Sequence, residues 1–197
     1  MKLEFQEEGH IYTVGGIRVP SVSEVTSCLS RMAYGEAPSE AMAIAADRGT
    51  AVHKATQELD EAGECTVTGD LSPFLEAYNK FLEDKKPKWD FIEFAVNNGM
   101  QYAGTLDRYG LLNNAHAIVD IKTTSSITRS VKALYTAAQN LYRMAIEDWL
   151  PVDKIYILQL KRDATYRLVE LPIEDGLANA CLAIYEATKK KERKRKE

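Results

Sequence analysis

Asp107, Asp120 and Lys122 are the residues of this chain whose types and spacing could carry out a reaction. They lie in the run GTLDRYGLLNNAHAIVDIKT, residues 104–123, with Asp120 thirteen positions after Asp107 and Lys122 two further on. Two carboxylates offer hard anionic oxygens of the kind that hold a divalent cation such as Mg²⁺. A lysine beside such an ion can orient or deprotonate a water. Together these groups suit the hydrolysis of a phosphodiester.

The elements that must position them can be read from the flanking residues. Residues 103–112 and 116–121 read as two strands joined by a turn at Asn113 and Asn114. Side chains alternate across a strand, so Asp120 and Lys122 project to one face and Ile121 to the other. A register that sets Asp107 near Asp120 would bring two carboxylates and an ammonium to one point. An Asp-x-Lys in a strand is, by itself, more often a solvated face than a site. Here Ala117, Ile118, Val119 and Ile121 are apolar, and the strand reads as buried on both faces. Charges inside such a strand are costly unless they pair or bind a metal. A structural ion pair between Asp120 and Lys122 would meet that requirement, but it leaves Asp107 unexplained.

The rest of the chain gives further elements. Residues 10–19 read as a hairpin turning at Gly15 and Gly16, ended by Pro20. Ser21 and Glu24 match a capping box opening a helix. A second helix is expected from about Ser39 to Ala62, stopped by Gly63. Its alanines favour helix and close packing, and Gly49 interrupts it at about 1 kcal/mol relative to alanine. A close backbone, a ligand or a helix contact would each explain that glycine. A third helix follows Ser72 and Pro73, read as N-cap and N1, with Phe74, Tyr78 and Phe81 turned inward. Strands near 91–96, 102–112 and 116–122 come next. A helix from about Thr128 to Trp149 follows, with an apolar stripe of Leu134, Ala138, Leu141 and Ala145. Strands near 154–160 and 165–171 and a helix from about Ile173 complete the order. That order predicts an α/β (α+β mixed) fold with a mixed central sheet flanked by helices.

Other residues line up with the acidic centre. His53 follows Arg48 and Gly49 on the long helix by about one turn. It suits a further metal ligand or a phosphate contact, with a helix histidine bonded to a neighbour as the plain alternative. Glu93, in FIEFAV, alternates with Phe91 and Ala95 on one face, while Ile92, Phe94 and Val96 form the other. It reads either as a carboxylate for the metal or as an edge-strand glutamate facing solvent. Gln139 and Tyr142 share a helix face and could bond phosphate or base edges, and tyrosine can stack on a base. His10 reads as structural or solvent-exposed.

The chain has 197 residues, enough for one domain with a sizeable core, and residues 1–197 read as a single unit. No apolar run is long enough to span a bilayer, and the N-terminus shows no secretory signal. Cys28, Cys65 and Cys181 are scattered, which predicts no zinc pair, no iron–sulfur cluster and no disulfide framework. Residues 189–197, KKKERKRKE, form a basic tail with seven basic and two acidic residues, so residues 1–188 carry −9 against −4 for the whole chain. The tail reads as a solvated, fraying helix end or as a source of non-specific attraction to phosphates.

Taken in order, GTAVH at 49–53, Glu93, GTLD at 104–107, VDIKT at 119–123 and the Gln/Tyr helix resemble the PD-(D/E)xK nuclease superfamily. The similarity points to its RecB-type branch, which holds phage and recombination exonucleases, and covers roughly residues 5–145. The resemblance implies a restriction-endonuclease-like core. It implies Asp107 and Asp120 as the main metal ligands, the Ile121 backbone carbonyl as a further one, and His53 and Glu93 as accessory ligands. Lys122 would position the attacking water and stabilise charge. Gln139, Tyr142, Arg143 and Arg48 would contact DNA. The family's helix motif has three residues between Gln and Tyr and this chain has two, so Arg143 stands as the alternative to Tyr142. The implied activity is a Mg²⁺- or Mn²⁺-dependent DNA exonuclease of phage-type recombination or repair, without an iron–sulfur cluster, in the cytoplasm of a bacterial or phage-infected cell. DNA is the implied partner, with room for a homo-oligomer and a recombination partner protein. A structure-specific endonuclease and a catalytically silent DNA-binding module are the alternatives.

Overall fold

A computed structural model describes residues 2–35, 40–65 and 69–194, the last five of these as backbone only. Ser39, expected to open the second helix, and the end of the basic tail lie outside the described residues. The chain begins with a three-stranded antiparallel sheet, β1 (Leu3–Gln6), β2 (Ile11–Val14) and β3 (Ile17–Val19). Gly15 and Gly16 take φ of 58° and 79°, the left-handed pair that a two-residue hairpin needs. β1 is an addition to the sequence reading: its side chains are mostly exposed, so no apolar alternation announced it.

Ser21 caps α1 (Val22–Val25) through a complete capping box: its hydroxyl accepts from Glu24 N at 3.0 Å, and Glu24 accepts from Ser21 N at 2.8 Å. α2 (Ser27–Tyr34) follows as a separate helix. α3 (Glu40–Ala62) ends at Gly63, whose φ of 78° and N–H to Leu59 O close the last turn. A 3-10 turn (Gly69–Leu71) leads into α4 (Ser72–Lys85). Ser72 is therefore the first helical residue and not the N-cap, because the preceding turn already carries Leu71 in helical geometry.

The main sheet has five strands in the order β4-β5-β6-β7-β8. β4 (Lys88–Asn98), β5 (Tyr102–Leu112) and β6 (Ala115–Lys122) form an antiparallel meander. α5 (Arg129–Ile146) crosses over to β7 (Lys154–Leu160), which runs parallel to β6. β8 (Tyr166–Leu171) returns antiparallel, and α6 (Gly176–Lys194) closes the order. α5 is capped by the Thr128 hydroxyl and stops at Ile146, short of Trp149, and α6 starts three residues beyond Ile173. The fold is thus a mixed α/β arrangement with a five-stranded mixed sheet flanked by helices.

The core lies on both faces of this sheet. Phe74, Tyr78 and Phe81 of α4 and Val52 of α3 pack with Val119, Ile121, Leu158 and Leu160 on one side. Each fully buried aromatic contributes about 2–3 kcal/mol from apolar area removed from water. Val131, Leu134 and Tyr135 of α5 cover Ile155 and Ile157 on the other side, and Ile146 covers Ile118. β6 is therefore buried on both faces, as its sequence predicted, with Val119 and Ile121 facing one way and Ile118 the other. The small N-terminal sheet docks on β5, where Tyr12, Val14 and Val19 cluster with Ala103, and Tyr12 OH lies 2.9 Å from Thr105 Oγ1.

Candidate active site

Asn113 and Asn114 take φ of 52° and 63° and turn β5 tightly into β6. The register pairs Arg108 with Val119, so the next step of the ladder sets Asp107 opposite Asp120. Asp107 Oδ2 accepts a hydrogen bond from Ile121 N at 2.7 Å, which ties its carboxylate to the carboxyl end of β6. Lys122 Nζ lies 2.7 Å from Asp120 Oδ2, so the acid and the amine share a face as alternation requires.

His53 comes to this point from α3. Its Nε2 lies 2.8 Å from the Ile121 carbonyl oxygen, which can only accept, so Nε2 carries a proton. Nδ1 then faces two carboxylates, Asp107 Oδ2 at 3.5 Å and Glu93 Oε1 at 3.6 Å. One ligand atom from each of His53, Glu93 and Asp107 falls within 4.8 Å of the others, close enough to share a single ion. Asp120, a main ligand with Asp107 by the family resemblance, contributes no atom to that triplet. The Ile121 carbonyl, expected as a ligand, is engaged by His53.

Glu93 reaches the cluster by a different route from the one alternation gave. Its φ of 46° puts a non-glycine residue in left-handed backbone, at a strain of about 1–3 kcal/mol. Phe91 and Phe94 consequently lie together, with ring centroids 4.4 Å apart, instead of on opposite faces. Strain of this size persists where the surroundings hold it. Here Arg108 does so: its Nη1 donates to Glu93 Oε1 at 3.1 Å and to the Asp107 carbonyl at 2.7 Å. The same guanidinium donates to Asp60 at 2.7 Å and to Thr56 at 3.2 Å. Arg108 is fully buried, a functional residue that the motifs of the sequence do not single out. A basic residue between Asp107 and Tyr109 in an apolar strand was the available signal.

Gln139 and Tyr142 lie beside the acids. Gln139 is buried and its Nε2 donates to Asp120 Oδ1 at 2.8 Å, which orients the acid. Tyr142 is half-buried, and a Cβ at Gly104 would meet its Cε1 at 2.7 Å. The glycine of GTLD thus makes room for that ring. Burial first, then the charges of Asp107 and Asp120, hold the Tyr142 hydroxyl well above its ordinary pKa. Arg143 is turned away from the centre. It forms ion pairs with Glu147 and with Asp175, just ahead of α6, and bonds Asn140 at 3.3 Å. Arg48 lies five residues before His53 on α3, its guanidinium carbon 5.7 Å from the centre of the Phe74 ring. A Cβ at Gly49 would sit at an ordinary 3.9 Å from Thr123 Oγ1, so close packing does not demand that glycine.

The electrostatics are those of a site that wants a cation. Burial pushes Asp120 up to about 6, against the pull of Lys122 and with the repulsion of Asp107. Burial would lower His53, but Asp107 and Glu93 outweigh it and raise the imidazole to about 8. Burial also opposes the charge of Lys122, and Asp120 and Asp107 overcome it and raise its pKa, so the amine is a fixed ammonium. Asp120 Oδ2 is buried and, despite the nearby Lys122, has no partner in hydrogen-bond geometry among the described residues. Hard carboxylate oxygens from Glu93 and Asp107 and one imidazole nitrogen suit a divalent cation such as Mg²⁺ or Mn²⁺.

The fold and this acidic cluster define an α/β protein with a candidate cation centre at the carboxyl end of β6. No family model matches the chain, and no curated protein matches its sequence. Solved structures do match. The chain is similar to an alkaline exonuclease (LHK-Exo) from Laribacter hongkongensis at 10% identity, covering 88% of this chain and 89% of that one, with a TM-score of 0.42. It is similar to LHK-Exo in complex with dAMP at 11% identity, covering 90% and 92%, with a TM-score of 0.45. It is also similar to a phage-related exonuclease from Haemophilus somnus 129PT at 14% identity, covering 88% and 96%, with a TM-score of 0.42. Among the described residues, no helix is long and apolar enough to cross a membrane.

Proposed function

We propose that this chain is a divalent-metal-dependent deoxyribonuclease, a single PD-(D/E)xK-type domain of the RecB-like exonuclease kind. The reading rests on one observation: three ligand atoms from His53, Glu93 and Asp107 lie within 4.8 Å of one another, next to the Asp120 and Lys122 pair. His53, Glu93 and Asp107 would hold the cation, with the Asp120 and Lys122 pair beside it. Bound there, a divalent cation supplies Lewis-acid chemistry to a phosphate oxygen and acidity to a water.

The chain's own groups do the remainder. Lys122, kept cationic by its two acids, orients the attacking water and offsets negative charge building on the phosphate oxygens. Asp120, fixed through Oδ1 by Gln139, accepts through Oδ2 from the same water and aims it for in-line attack. Arg108 keeps Glu93 in its strained pose, and His53 locks α3 to the carboxyl end of β6.

Incubation with linear and covalently closed DNA in Mg²⁺ or Mn²⁺ tests the reading. Degradation of linear DNA alone supports the exonuclease, and nicking of circles converts it to an endonuclease on the same site. No cleavage of either, with Asp120→Ala and Lys122→Ala indistinguishable from the parent, refutes the nuclease.

A further inference from the structure

β6 and β7 run parallel, so their carboxyl ends open on the same side of the sheet, where α/β proteins form ligand crevices. A cavity of about 480 Å³ occupies that crevice. Its walls are Arg48 from α3, Thr123, Thr124 and Ser125 following β6, and Lys161 and Arg162 following β7. Asp163, the acid at its edge, has Oδ1 turned back to its own turn, accepting from Thr165 N at 3.1 Å. Three cations therefore face one engaged carboxylate, in a chain whose net charge is −4.

One donor on the cavity wall is unspent, while the Thr124 hydroxyl is committed to the Ser126 carbonyl at 3.0 Å. Arg48 Nε is buried and, among the described residues, has no hydrogen-bond partner. Leaving such a donor unsatisfied costs about 1–3 kcal/mol, more for a charged group, so the position makes sense with an acceptor in place. The Arg48 guanidinium carbon lies 5.7 Å from the centre of the Phe74 ring, within cation–π reach. The loop opposite is pinned to β7 by Gln159 Nε2, which donates to the Thr124 carbonyl at 2.8 Å. A guanidinium, an ammonium and hydroxyls converging on one space match the oxygens of a phosphate.

We propose that this cavity is a phosphate subsite that takes a phosphate of the substrate strand next to the one being cut. The proposal rests on the nuclease reading for its substrate. The scale agrees: Ser125 follows Lys122 by three residues, a span of at most about 11 Å in extended chain. A strand with its scissile phosphate at Lys122 has a neighbouring phosphate within that reach. The subsite sets the register of the strand in the cleft, and Lys122 and Asp120 act on the bond so placed.

Oligonucleotides carrying one uncharged methylphosphonate, moved one position at a time along both sides of the cut, test this with Arg48→Gln and Arg162→Gln. Arg162 is exposed in a turn, so its replacement leaves the fold intact. For the parent protein in Mn²⁺, one position raises KM by about tenfold or more, with a smaller change in kcat. Each variant raises KM on the all-phosphate strand, and loses its deficit on the strand neutralised at that position. Sensitivity at a terminal phosphate marks a strand-end subsite, and sensitivity at an internal one marks a strand-tracking subsite. Variants that match the parent in KM, or deficits that multiply at every position, overturn the subsite. If the parent cuts nothing, the nuclease reading fails, and the same strands titrated by fluorescence anisotropy in Ca²⁺ still decide the cavity. A Kd difference between parent and variants that vanishes at one methylphosphonate upholds it, and equal Kd values reject it.

Discussion

His53 Nδ1 lies 3.5 Å from Asp107 Oδ2, while the opposite nitrogen of the same ring is 2.8 Å from the Ile121 carbonyl. The imidazole is thus clamped between the backbone of β6 and the carboxylates of β5 and β4. Without a metal, a proton on Nδ1 satisfies Asp107 and Glu93, and a cation must displace it.

A first consequence is a proton released on metal binding. With His53 raised to about 8, the ring is largely protonated at pH 7. Calorimetric titration of Mn²⁺ in buffers of different ionisation enthalpy should give close to one proton released at pH 7 and far less above pH 9. Release that does not change with pH would separate His53 from the ion.

The same shift makes the metal-free protein less stable in base. The folded pKa lies above the unfolded value near 6.5, so the contribution is complete below 6.5 and is lost as pH rises through about 8. Its size is about 2 kcal/mol at most. Asp120, also raised, loses its contribution at lower pH, between 3.8 and about 6, as pH rises. Chemical denaturation between pH 6.5 and 8.5 should show the decline in the parent and a flatter profile in His53→Asn.

Arg108 holds two acids and a hydroxyl from full burial. Arg108→Met should cost about 3–5 kcal/mol in stability, because Asp60 and Glu93 are left without their cation. Mn²⁺ affinity should fall as well, since the strained Glu93 loses its anchor. A stability loss under 1 kcal/mol would show that the network is not structural.

Gly104 and Tyr142 should behave as a coupled pair. Gly104→Ala places a methyl 2.7 Å from the tyrosine ring and 3.0 Å from Val22 Cγ2. The expected penalty is about 1–3 kcal/mol from overpacking. In a Tyr142→Ala background most of that penalty should disappear, and a double-mutant cycle by thermal unfolding measures it.

Much of the centre was legible in the sequence because it is local. Asp107, Asp120 and Lys122 sit on adjacent strands joined by an Asn-Asn turn, and period-two alternation fixes their faces. His53 was legible as a histidine one turn beyond a glycine on a long helix. What escaped depends on distant partners. Arg108 meets Asp60, forty-eight residues away, and Arg143 meets Asp175, thirty-two away, and neither pairing leaves a local pattern. Glu93 joined the right cluster for a reason alternation cannot supply, a positive φ that turns it out of the strand's rhythm. Gln139 shares its helix face with Tyr142, but only tertiary packing turns it to Asp120. The crevice beside Lys122 needed the parallel pairing of β6 and β7, which the order of elements leaves open.

The most direct test is anomalous diffraction from crystals grown with Mn²⁺ and a short DNA strand. The expected result is a peak within bonding distance of His53 Nδ1, Glu93 and Asp107, with the Asp120 and Lys122 pair beside it and a phosphate oxygen beside Lys122. A peak elsewhere in the molecule, with His53 still protonated between its two acids, would contradict the site.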